Sequence, residues 1–142
     1  MIVAFSLAQK FKQKEAQGLF EDYVQRIRHF AEIKITFEKE IKKESGGALW
    51  VCHRDSKVSM PDSDQLAKKL ETIRDGGIRH LLIAVGGADG FSSPDIQKLQ
   101  PDFVWSFGPL TLPHELAAVV AAEQIYRAWT ILNHLPYHKG HR

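Results

Sequence analysis

Cysteine is nearly absent. Cys52 is the only one in 142 residues, so no internal disulfide can form, and the chain reads as a protein of a reducing compartment, the cytoplasm. No apolar run approaches the roughly 20 residues of a membrane span, which argues against an integral membrane protein. The opening stretch MIVAFSLAQKFKQK places its short apolar run first and leads directly into lysines, unlike a secretory leader. Excess charge is also missing. The formal net charge is only +2, too little to diagnose nucleic-acid binding, although the first 57 residues carry 11 Lys/Arg against 8 Asp/Glu. The tail His134–Arg142 adds a local basic, histidine-rich surplus. Internal repeats, low-complexity segments, a dinucleotide fingerprint, a P-loop, a nucleophile elbow and a zinc-protease helix are all lacking.

What is present is an alternation of strand and helix signals across one domain, residues 1–142. Ile2–Leu7 is a short apolar run and reads as a buried strand. From Gln13 to Phe30, Ala16, Leu19, Phe20, Tyr23, Val24, Ile27 and Phe30 recur at helical spacing. Ile33–Phe37 alternates with Lys34 and Thr36 and predicts a half-exposed strand. The charged stretch Glu38–Gly47 is a connection that bounds an N-terminal segment, 1–47. Ala48–His53 predicts a third strand. Asp62 or Ser63 can cap a helix ending at Gly76-Gly77. His80–Val85 (HLLIAV) is apolar almost throughout, as a central parallel strand buried on both faces requires. A short helix over Pro94–Leu99, a strand over Phe103–Phe107 and a long helix from His114 to about Leu132 complete an α/β pattern with a mostly parallel sheet.

Several features can carry chemistry. The glycine loop Val85–Phe91 follows the most buried strand, where backbone N–H groups can approach a ligand closely; the same pattern serves an ordinary tight turn. The loop Phe107–Leu112, closed by Pro113, leaves the next strand at the same sheet edge and can form a second wall. The last helix is apolar around most of its circumference, which predicts burial on nearly all sides and a homodimer interface. On it, Glu123 and Arg127 stand four residues apart, in ion-pairing order. The tail Pro136-Tyr137-His138-Lys139 sets an aromatic beside cations, able to stack on a base and meet phosphate, or simply to fray. His134, His138 and His141 are split by Pro136 and lack a companion carboxylate or thiolate, so no metal site is expected. Cys52 reads as a core residue, not a nucleophile.

Taken together, HLLIAVGGADGF, WSFGPLTLPHELAAVVAAEQIYRAW and PYHK resemble the ribosomal RNA large-subunit methyltransferase H family. The motifs are Val85–Gly90, Ser106–His114, Glu123–Ala128 and Tyr137–Lys139, in order. The resemblance implies a SPOUT-type fold: a parallel sheet with helices on both faces and a C-terminal trefoil knot, within residues 80–139, holding the cofactor loops and the dimer helix. It implies S-adenosylmethionine as cofactor, at Cys52, Gly86, Phe107, Gly108, Pro109, Leu110, Thr111 and Leu112. His114 and Lys139 match substrate positions; Arg127, Tyr137 and His138 match catalytic ones. The implied reaction is N3-methylation of a pseudouridine in 23S ribosomal RNA, with ribosomal RNA or the ribosome as partner, a homodimer through the last helix, no membrane and no metal. The N-terminal third departs from the family pattern: Phe5-Ser-Leu-Ala8 replaces a Val-Gly-Lys ending, and Cys52-His53 replaces a leucine and an acidic residue. That departure keeps two alternatives open, a SPOUT methyltransferase for another RNA and a non-catalytic dimeric RNA- or ribosome-binding module.

Overall fold

The structure, a computed structural model, describes residues 1–54 and 60–138. Its elements in chain order are β1 (Ile2–Leu7), α1 (Lys14–Ile27), β2 (Glu32–Phe37), β3 (Ala48–Cys52), α2 (Ser63–Asp75), β4 (His80–Val85), α3 (Ser93–Leu99), β5 (Phe103–Trp105) and α4 (His114–Leu132). The strands form one sheet in the order β2-β1-β4-β3-β5, and every neighbouring pair is parallel. β4 is central as its composition predicts, with Leu81 to Val85 all buried. β2 lies at an edge, where Ile33 is buried and Lys34 exposed.

The two-residue alternation of strands sorts side chains onto two faces. Val3, Phe5 and Leu7 of β1 and Leu81, Ile83 and Val85 of β4 share a core with α1, α2 and α4. Ala4, Leu49, Val51, Leu82 and Ala84 face the other way, against Ile41, Phe91 and the α3 residues Ile96 and Leu99. Helices therefore cover both faces. α4 packs against both α1 and α2, and Ala118, Ala121, Ala122, Ile125 and Ala128 are buried there. Small residues at three- and four-residue spacing let it sit deep. The chain's own helices thus cover most of α4, and Leu116 is its large apolar residue left exposed. Burial of α4 does not by itself demand a second copy, contrary to the reasoning from composition.

Several element ends shift for local reasons. α1 stops at Ile27 and not Phe30, because the following residues tighten into i→i+3 bonds, Phe30 N–H to Ile27 C=O at 2.8 Å among them. β5 ends at Trp105 and not Phe107: among the described residues it pairs with β3 alone, whose last paired residue is Cys52. α2 is capped by Asp62, whose side chain accepts from Gln65 N–H in a capping box. α1 has no side-chain cap of its own. Its free N–H groups at Lys12 and Gln13 donate instead to Glu115 of α4, at 3.1 and 3.0 Å. α4 ends in a Schellman pattern, with Leu135 N–H to Thr130 C=O at 2.9 Å and His134 N–H to Ile131 C=O at 3.1 Å. His134 takes the left-handed position, φ +57°, and turns the chain back.

Candidate active site

Parallel sheets gather their loops at the C-terminal ends of the strands, where ligands bind. Here the segments after β3, β4 and β5 enclose a cavity of about 700 Å³, within the roughly 300–1,000 Å³ usual for small-molecule sites. Its walls include Cys52, His53 and Arg54 after β3, Gly86 to Phe91 after β4, and Phe107, Leu110, Thr111, Leu112 and His114 after β5. The glycine loop and the Phe107–Leu112 loop thus form two walls of one pocket, as their positions predict. Gly108 and Pro109 do not line it but hold the second wall in shape. Gly108 sits at φ +117°, which side chains rarely tolerate. Arg54 Nε donates to Pro109 C=O at 2.8 Å, pinning that loop to the segment after β3.

Gly86 has a specific reason to lack a side chain. A Cβ there would meet the backbone of Gly90 at 3.0 Å and the Phe91 ring at 3.3 Å, so the loop closes tightly on itself. His114 begins α4 and lines the cavity. Its Nε2 is buried with no hydrogen-bond partner among the described residues and lies 3.9 Å from Glu115 Oε2. Burial pushes the Cys52 thiol far above its ordinary range, which disfavours the thiolate that a nucleophile requires. On the opposite side of the glycine loop lies a second cavity, of about 670 Å³, where Lys39, Lys43 and Lys98 are balanced by Glu40, Asp89 and Asp95; this balance leaves no local excess of charge.

Arg127, Tyr137 and His138 come together, but not at this cavity. Arg127 Nε donates to Glu123 Oε1 at 2.7 Å, and Arg127 Nη1 lies 3.0 Å from His138 Nδ1. The guanidinium stands 4.9 Å from the centre of the Tyr137 ring, which packs edge-on against Tyr126. Burial first, then the Glu123 carboxylate, pushes the Tyr137 phenol up to about 12, so it remains protonated at neutral pH. Thirteen residues of α4 separate His114 from Arg127, roughly 20 Å at 1.5 Å per residue. The expected site residues thus form two groups on one chain. Lys139 lies outside the described residues.

Partners of this second group were not evident from the sequence. Ser63 Oγ donates to Gln124 Oε1 at 2.7 Å, and His138 Nε2 lies 3.7 Å from Asp64 Oδ2. Ser63 and Asp64 occupy the first turn of α2; the sequence marks Ser63 only as a possible cap and does not mark Asp64. Ser63 meets Gln124 where α2 packs on α4, and Asp64 meets His138 through the reversal at His134, which folds the tail back onto α2. Among the described residues, no three His, Cys, Asp or Glu are grouped to hold a metal ion, and no helix is long and apolar enough to cross a membrane.

Known proteins match this arrangement. A family described as "Predicted SPOUT methyltransferase" matches residues 1–138. A "Ribosomal RNA large subunit methyltransferase H" of Koribacter versatilis is 34% identical over 139 residues, covering 93% of this chain and 94% of that protein. A protein of the same name from Mesorhizobium japonicum is 45% identical over 86 residues, covering 61% of this chain and 52% of that one. The chain spans about half the length of the first curated relatives it matches. Among solved structures, a probable rRNA-methyltransferase from Porphyromonas gingivalis superposes with a TM-score of 0.55 at 14% identity, covering 92% of this chain and 68% of that one. At that identity the likeness shows the fold.

Proposed function

The chain belongs to the SPOUT methyltransferase family, and from that premise we propose that it transfers a methyl group from S-adenosylmethionine to large-subunit ribosomal RNA, at N3 of a pseudouridine. The observation that carries this reading is the cavity at the strand ends, walled by the glycine loop, Phe107, Leu110 to Leu112 and His114. The residues present fit the cofactor. Phe107, Leu110 and Leu112 offer apolar surface, and the glycine loop and residues 107–112 offer backbone donors and acceptors. Cys52 and Gly86 complete the wall, and Gly108 and Pro109 shape it. When bound, the cofactor supplies an electrophilic methyl group on a sulfonium centre.

The chain's own residues have the remaining work. A neutral imide nitrogen is a poor nucleophile, so the site must favour its anionic form and hold it in line. His114, at the cavity wall, and Lys139 are assigned to substrate contact. Arg127 is assigned to stabilising the anion, and Tyr137, protonated at neutral pH, to stacking or hydrogen bonding. His138 orients the base or moves its proton. Because Arg127 lies roughly 20 Å along α4 from His114 by helix geometry, the tail group of one copy serves the cavity of another, in a homodimer that packs through α4. The same reading includes threading of the chain after β5 into a trefoil knot and a cytoplasmic location, with ribosomes as partner.

Incubation of ribosomes lacking the modification with labelled S-adenosylmethionine, followed by nucleoside analysis, tests the proposal. Label in a methylated pseudouridine of the large-subunit RNA is the expected result. Label in another nucleoside would redirect the activity to a different RNA site. Neither label nor calorimetric heat of cofactor binding would leave a non-catalytic RNA- or ribosome-binding module.

A further inference from the structure

The polar groups around Arg127 form a chain from Ser63 to His138. Ser63 Oγ donates to Gln124 Oε1 at 2.7 Å. Gln124 Nε2 donates to the Glu123 carboxylate at 3.3 and 3.4 Å. Arg127 Nε donates to Glu123 Oε1 at 2.7 Å, and Arg127 Nη1 meets His138 Nδ1 at 3.0 Å. His138 Nε2 then faces Asp64 Oδ2 at 3.7 Å, the residue after Ser63 in the first turn of α2. The Glu123 and Arg127 side chains are 16% and 14% exposed, so this is a sheltered network and not a loose surface pair.

The donor inventory decides which nitrogen of His138 holds the proton. Arginine offers only N–H donors, so Nδ1 at 3.0 Å from Nη1 must accept through its lone pair. A ring protonated at both nitrogens would set N–H against N–H. The proton therefore resides on Nε2. The carboxylate facing it, Asp64 Oδ2 at 3.7 Å, is beyond hydrogen-bond range, and among the described residues the Nε2–H is therefore able to bond a ligand.

We infer that His138 serves as a hydrogen-bond donor through Nε2–H to a carbonyl oxygen of the target base, not as the base that removes the imide proton, and that Glu123, Gln124 and Ser63 are positioning residues for it through Arg127. The assignment rests on the methyl-transfer reading above. The imide proton leaves to solvent hydroxide, giving water. The negative charge left on the N–C=O unit is stabilised where Nε2–H meets the oxygen. The ring nitrogen then forms its bond to the methyl carbon as the carbon–sulfur bond breaks, and the sulfur keeps that electron pair.

Two measurements test it. Long-range proton–nitrogen NMR of the full-length protein should show His138 protonated at Nε2 and bare at Nδ1. A ring protonated at Nδ1, or at both nitrogens, overturns the inference whatever the protein methylates. In the ribosome assay, His138→Gln places an amide N–H near the Nε2 position and should keep the rate within about ten-fold of wild type, whereas His138→Ala should lose about a hundred-fold. His138→Gln as slow as His138→Ala overturns the donor role. Glu123→Ala should lower the rate about ten-fold with cofactor affinity unchanged; an unaltered rate removes Glu123 from the positioning set. If wild type itself transfers no methyl group, the functional reading fails, and the NMR result still decides the protonation state.

Discussion

Glu115 and Gly86 illustrate what single positions do here. Glu115 of α4 accepts the backbone N–H groups that open α1, and the bond from Gln13 holds its carboxyl below the usual glutamate range. A folded-state value that is depressed contributes stability above the unfolded value and loses it as pH falls through the folded one. Glu115→Gln should therefore lower the thermal midpoint at pH 7, and the gap to wild type should close as pH drops below about 4. A gap of constant size across that range would show that the carboxylate charge does not matter. At the cavity, Gly86→Ala would force its Cβ against the Gly90 backbone, 3.0 Å away. Calorimetry should then show S-adenosylmethionine affinity reduced by about ten-fold or more, because the loop must shift out of its shape. Equal affinity in the variant would remove Gly86 from the cofactor wall.

Among the elements, β4 and α4 were the most legible. HLLIAV can be satisfied only in the middle of a sheet, and α4 begins and ends where its apolar pattern does, His114 to Leu132. β5 was less legible, since its length is set by where β3 stops pairing, a long-range fact. The return of the tail was not legible at all. It turns on His134 at φ +57°, a left-handed position that sequence usually marks with glycine. Without that turn, nothing brings His138 to Arg127 or to Asp64. His134→Gly should preserve the Schellman bonds and relieve the strain, raising stability by about 1 kcal/mol in urea unfolding. Destabilisation by the same substitution would mean that the histidine side chain makes a contact worth more than the strain.

For the whole molecule, the cavity residues could be named from their loops because parallel sheets bring strand ends together, while the tail stood out as an aromatic beside cations and took its site roles only from family motifs. The fold then separates the two groups by roughly 20 Å of helix. The proposed site unites them through a second copy, and that proposal rests on the spacing of functional groups more than on uncovered apolar surface, since one chain already buries most of α4. The direct measurement is complementation in the ribosome methylation assay. Gly86→Ala, or a bulkier substitution at Gly86 if alanine proves too mild, impairs the cavity, and His138→Ala impairs the tail group. Each variant alone should be nearly inactive. When the two are mixed and allowed to exchange subunits, a site shared between copies recovers up to roughly a quarter of wild-type activity, because half the dimers are mixed and one of their two sites is whole. A mixture no more active than its parts would place the cavity and tail groups in the same chain's site and contradict the shared-site account.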